Sequence, residues 1–103
     1  MNYAVVITKP AEADLAGIGD YIAFQLKEPD TAVRLLGKLQ AEILKLAEFP
    51  TRRALVREEE FRVQGYRKLF VEHYTVFFTL SEQARTVYIQ RVLYNKRNWM
   101  EII

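Results

Sequence analysis

Residues 65–94 read GYRKLFVEHYTVFFTLSEQARTVYIQRVLY, and this stretch decides the fold. Three segments in it (Tyr66 to Val71, Tyr74 to Leu80 and Thr86 to Leu93) are rich in β-branched and aromatic residues, which suit a pleated surface. Only Glu72-His73 separates the first two, and the polar turn Ser81 to Arg85 separates the second two. A parallel connection needs a crossover of about a dozen residues or more. Both gaps are shorter, so the three strands must form an antiparallel meander.

Moving outward, YAVVIT at 3–8 reads as another strand, and its near-continuous apolarity predicts a central one covered on both faces. Thr8-Lys9-Pro10 then opens a helix. Thr8 can cap free amides, Pro10 lacks the donor that would be orphaned there, and Glu12 and Asp14 suit the positive helix end. Leu15, Ile18, Ile22 and Leu26 share one face of that helix, flanked by Tyr21. Lys27-Glu28-Pro29-Asp30 interrupts the pattern, and Asp30 or Thr31 starts a second helix. Its stripe is Val33, Leu36, Leu39, Ile43, Leu46 and Ala47, and Glu48-Phe49-Pro50 ends it. So short a link predicts an antiparallel helical hairpin. Residues 51–60 (TRRALVREEE) lack periodicity and read as a loop or a short irregular stretch. The tail YNKRNWMEII at 94–103 reads as a short helix or an extended end.

The expected architecture is α+β in a single domain spanning 1–103. An N-terminal strand, an α-helical hairpin and a three-stranded antiparallel meander place both helices on one face of a four-stranded sheet. The remaining face is expected to be only partly apolar: charged residues on these strands include Arg67, Lys68 and Arg91, with Lys96 and Arg97 just past the last strand. A basic, aromatic-bearing face of that kind is a platform for a polyanion.

Composition narrows the function. The chain has 103 residues, half of them hydrophobic and 27% charged, which is globular rather than disordered. It has no cysteine, which removes disulfides, thiolate nucleophiles and cysteine-ligated zinc. Its one histidine, His73, sits in a tight turn, so a two-histidine metal site is excluded. No glycine-rich phosphate loop or other cofactor motif occurs, and no cofactor is expected. The apolar runs are too short to cross a membrane and no signal peptide is visible, so the expected location is the cytoplasm. Charge is uneven: residues 1–50 balance to −2, and residues 51–103 to +4. The basic excess in the second half hints at an anionic partner.

Cleaving RNA without a metal needs a group that activates the 2′-hydroxyl, cations for the crowded phosphate and an acid for the leaving oxygen. Arginine and lysine can supply the cations, and Tyr94 is a candidate for proton transfer. Arg67 and Lys68 are neighbours on a strand, so they point to opposite faces and one site can use at most one of them directly. Arg91 could equally be an ion-paired structural residue, and Arg97 ordinary solvated charge. Trp99, Ile102 and Ile103 either close the core or meet a partner.

The segments YAVVITKPAEADLAGIGDYIA, LLGKLQAEILKLAEFP, GYRKLFVEHYTVFFTL and TVYIQRVLYNKRNW, in this order, resemble the RelE/ParE superfamily of bacterial type II toxins. The resemblance implies a growth-inhibiting toxin of the plasmid-stabilization kind, neutralised by a cognate antitoxin, with a higher-order toxin–antitoxin complex as one form it can take. RelE-like members are ribosome-dependent endoribonucleases that cut mRNA without a metal; ParE-like members poison DNA gyrase and are not themselves enzymes. If the chain is RelE-like, the resemblance assigns catalysis to Arg67, Lys68, Tyr94, Lys96 and Arg97. The middle-strand arginine of such enzymes falls at Thr75, the acid/base histidine of a related branch is replaced around Asn95, and a C-terminal tyrosine is missing. The incomplete nuclease set and the Tyr-x-x-Arg-Asn spacing of RVLYNKRNW tilt the reading toward the ParE-like branch. A toxin-like module without toxicity is the remaining alternative.

Overall fold

The computed structural model describes residues 2–103. Strand β1 (Ala4–Ile7) leads into helix α1 (Lys9–Asp20), which continues as a wider π-helical turn over Tyr21–Gln25. Helix α2 (Pro29–Leu44) returns alongside it and tightens over Lys45–Ala47. A single turn at Pro50–Arg52 and the short helix α3 (Glu59–Arg62) precede strands β2 (Arg67–Val71), β3 (Tyr74–Ser81) and β4 (Thr86–Tyr94). Helix α4 (Trp99–Ile102) follows. The strands lie in the order β1-β4-β3-β2, with β1 parallel to β4 and the other pairs antiparallel. The α+β architecture, the hairpin and the meander are as the sequence predicts.

Local chemistry explains the entries and exits. Thr8 Oγ1 accepts the Ala11 amide at 3.4 Å and donates to the Ile89 carbonyl at 2.7 Å, so one hydroxyl caps α1 and ties it to β4. The first helix leaves regular α geometry where the Leu26 amide reaches back five residues to the Tyr21 carbonyl at 3.1 Å. Pro29 occupies the first turn of α2, where its missing donor costs nothing, so the helix begins one or two residues earlier than the sequence reading places it.

The core lies between the hairpin and one face of the sheet. Leu35, Leu39 and Ile43 of α2 pack with Leu69, Val76, Phe78, Val87 and Ile89. Fully burying each such aliphatic side chain contributes roughly 1.5–3 kcal/mol. The buried stripe of α2 is rotated from the expected one: Leu35 faces inward while Val33 is 73% exposed. Leu36 instead leans on Gly19 of α1, whose missing side chain lets the helices approach.

Two expectations about the sheet are corrected. Strand β1 is an edge, not a doubly covered centre, and Val6 and Ile7 are 43% and 38% exposed. Its apolarity does not mean burial on both faces. The uncovered face is also not a basic platform. A register slip pairs Phe78 with Ile89 but Phe77 with Arg91, leaving Gln90 as the extra residue of a β-bulge. Ile89 therefore packs in the core under the hairpin with Phe78, whereas Arg91 shares the Phe77 side of the sheet. On that second face Trp99 packs against Phe61 and Phe77, with ring centroids 5.0 and 4.7 Å apart. Helices α3 and α4 thus cover much of what the sequence reading left open. Residues 51–60 are only partly irregular, since α3 starts at Glu59 and Leu55 bridges to Arg67.

Candidate functional site

A groove of about 800 Å³ opens at the end of the sheet where β2 turns into β3 and β4 ends. One wall is the last turns of the first helix, with Ile18, Tyr21, Ile22 and Leu26. Opposite stand Tyr74, Tyr94 and Arg97, and Arg34 and Glu72 stand at the rim. Tyr74 and Tyr94 are cross-strand partners and meet edge to face at 5.6 Å. Burial, and then the neighbouring Tyr94 and Tyr21, push the Tyr74 hydroxyl pKa above its ordinary value, so it stays protonated.

The rim is held by charge. Glu72, in a left-handed turn conformation (φ 53°), accepts from Arg34 at 2.9 Å and contacts Lys38 Nζ at 3.2 Å. These two cations hold its carboxyl down to about 2. The β2–β3 turn is thereby strapped to α2. His73, beside it, is exposed and lines the groove.

Of the candidate residues, the structure brings Tyr94 and Arg97 together at the groove, where the Arg97 amide donates to the Tyr94 carbonyl at 3.0 Å. Lys96 lies exposed in the same turn. Arg67 and Lys68 lie elsewhere. Arg67 pairs with Phe78 in register, four residues along β2 from Val71, which is about 13 Å at the usual rise. Its side chain is on the hairpin side, and Nη1 donates to the Arg53 carbonyl at 2.6 Å. Lys68 points to the second face, with Nζ 5.2 Å from the Trp99 ring centroid. Thr75 is buried and donates its hydroxyl to Asn95 Oδ1. Arg91 is committed to Asp14 of α1, by Nε–Oδ2 and Nη2–Oδ1 contacts of 2.7 and 2.8 Å. Asp14 and Tyr74 were not candidates in the sequence reading. Tyr21 was visible as an aromatic on the border of an apolar stripe, a place where a side chain meets both core and cleft.

Among the described residues, no cluster of three or more His, Asp or Glu could hold a metal ion, and no helix is long and apolar enough to cross a membrane.

Residues 5–99 match the family described as the ParE toxin of type II toxin-antitoxin systems, parDE. This chain belongs to that family. It is a toxin of a type II toxin–antitoxin system. Its fold is similar to three solved structures. One is the chromosomal ParDE system of P. aeruginosa, with TM-score 0.73 and 22% identity over 89% of this chain and 95% of that one. The second is the RelBE2 toxin–antitoxin complex of Mycobacterium tuberculosis, with TM-score 0.67 and 23% identity over 91% and 92%. The third is an arginine-to-alanine double mutant of E. coli toxin RelE in the free state, with TM-score 0.68 and 12% identity over 99% and 93%. No curated protein sequence matches the chain.

Proposed function

We propose that this ParE-family toxin arrests growth in the bacterial cytoplasm by binding and disabling DNA gyrase, without cutting a substrate itself. The observation that carries the reading is the dispersal of the cations. Metal-free cleavage of RNA needs a base, an acid and at least one cation converging on a single phosphate. Arg67 and Lys68 stand on opposite faces of β2, and neither lines the groove that holds Tyr94 and Arg97. A binding toxin has no such requirement.

The test is a supercoiling assay with the purified toxin and gyrase, run beside a cleavage assay on ribosome-bound mRNA. Loss of supercoiling with intact mRNA is the expected result. Intact supercoiling with cleaved mRNA would transfer the protein to the nuclease reading. That second reading has one observation in its favour, the presence of Tyr94 and Arg97 in one groove. It requires that Arg97→Ala abolish toxicity while the fold persists. Normal growth on expression of the wild-type chain alone would leave a non-toxic binding module.

We further propose that a cognate antitoxin neutralises the toxin by laying a segment along the groove, within a larger toxin–antitoxin assembly. Two of the similar solved structures are toxin–antitoxin systems by name. Tyr21 and Leu26 line the groove and are exposed, and such a segment would remove them from water.

A further inference from the structure

Away from the groove, near the start of β2, the chain builds a second surface that the gyrase reading does not use. Phe49 is held in the left-handed conformation (φ 52°, ψ 52°), which is unfavourable for a residue with a side chain. It is 56% exposed, so burial does not repay that cost. The Arg52 guanidinium lies over one side of its ring, 4.6 Å from the centroid. Beside them is a depression of about 330 Å³ lined by Lys45, Glu48, Phe49, Arg52 and Arg53. Arg67, whose guanidinium grips the Arg53 carbonyl at 2.6 Å, fixes this loop and adds a further cation. Among the described residues, Arg52, Arg53 and Arg67 have no carboxylate partner, whereas Arg34, Lys38 and Arg91 each have one. Glu48 is the one acid in the depression, and Lys45 already contacts Glu42 at 2.9 Å.

We infer that this ledge binds single-stranded nucleic acid, with phosphates on Arg52, Arg53 and Arg67 and a base stacked on Phe49. Guanidinium forks that face no carboxylate can match phosphate oxygens in pairs. An exposed aromatic ring beside them offers what a duplex cannot use and an unpaired base can. An acidic peptide would satisfy the arginines but has no use for the strained, solvent-facing phenyl ring. DNA opened by a topoisomerase and mRNA present the same chemistry, so the test separates them.

Fluorescence anisotropy of the full-length toxin with labelled dT15, rU15 and a 15-base-pair duplex reads the ledge directly. Binding of a single strand is expected, with affinity falling as salt rises. Replacing Arg52 and Arg53 by alanine should lower affinity about tenfold and flatten the salt slope by roughly 0.7 per lost phosphate contact. Phe49→Asn keeps a residue that tolerates the left-handed conformation and should weaken single-strand binding by about tenfold while sparing the fold. Lys27→Gln, on the hairpin turn, should change nothing. The tighter of dT15 and rU15 identifies the source. The inference is overturned if neither single strand binds, if the variants bind like wild type, or if the duplex binds as well as the strands and ignores Phe49→Asn. It is equally overturned if a polyglutamate peptide binds more tightly than either strand. Supercoiling is scored separately, so loss of the gyrase reading and loss of the ledge are distinct results.

Discussion

Asp14 and Arg91, 77 positions apart in the chain, form a two-point ion pair, and the same carboxylate accepts the Val92 amide at 2.9 Å. Strand β1 ends at Ile7, opposite Ile89, so from there on β4 has no strand on that side, while β3 stays paired along the other. Asp14 supplies the missing acceptor. Arg91 Nη1 also donates to the Ile102 carbonyl at 3.3 Å, so one guanidinium joins α1, β4 and α4.

Asp14→Ala should therefore remove an ion pair and a backbone acceptor at once. The side chains are only 13% and 23% exposed, and breaking such a pair from one side costs about 3 kcal/mol. Urea unfolding of Asp14→Ala, Arg91→Ala and the double variant checks this. A coupling energy near zero would show that the ion pair itself contributes nothing and that the loss in Asp14→Ala comes from the uncovered Val92 amide.

Acid should loosen the strap over the groove. The folded-state pKa of Glu72 is depressed from 4.5 to about 2, first by its hydrogen bond to Arg34 and then by Lys38. Its stabilisation is complete above about pH 4.5 and is lost as pH falls through about 2. Thermal midpoints measured across that window should fall less steeply in Glu72→Gln than in wild type. Because the pair is solvent-facing, added salt should shrink the difference.

Trp99, the only tryptophan, reports on the second face. Trp99→Ala should destabilise by about 2 kcal/mol, less than the ~3–5 of a fully buried ring, because one edge remains in water. Trp99→Phe should recover most of that loss. Equilibrium unfolding followed by far-ultraviolet dichroism measures both. A wild-type-like Trp99→Ala would mean that the stack on Phe61 and Phe77 contributes nothing.

Two glycines should answer oppositely to alanine. A methyl on Gly37 of α2 meets nothing within 4 Å, so Gly37→Ala should stabilise by roughly 0.5–1 kcal/mol through helix propensity. A methyl on Gly19 would sit 2.8 Å from Leu36 Cδ1 and force that side chain to move. Gly19→Ala should thus fall at least about 1 kcal/mol below Gly37→Ala. Paired thermal melts decide it.

Much of this was legible in the residues. Strand-forming segments with gaps too short for a crossover fix the meander, and periodic Leu and Ile fix the hairpin. Apolar content could not reveal that β1 is an edge, because Val6 and Ile7 look the same whether a layer or water lies over them. The bulge at Gln90 was invisible too: strict alternation puts Ile89, Arg91 and Leu93 on one face, and a single extra residue undoes it. The five candidate site residues were chosen by type and position along strands. Whether they converge depends on side-chain direction and on the bend after Tyr94, which pattern alone does not carry. Phe49 escaped notice because a strained φ angle leaves no mark in composition.

Strand β1 has one neighbour in the sheet, β4, which follows every other strand in the chain. Thr8 and Ile89, which close the parallel pair, are 81 positions apart. During synthesis the amino end leaves the ribosome first and waits, with its valines uncovered, until β4 follows. Tyr94 and Arg97 come later still. A polypeptide interrupted before residue 86 has neither a closed sheet nor the far wall of the groove, so the two ends of this fold can only be completed together.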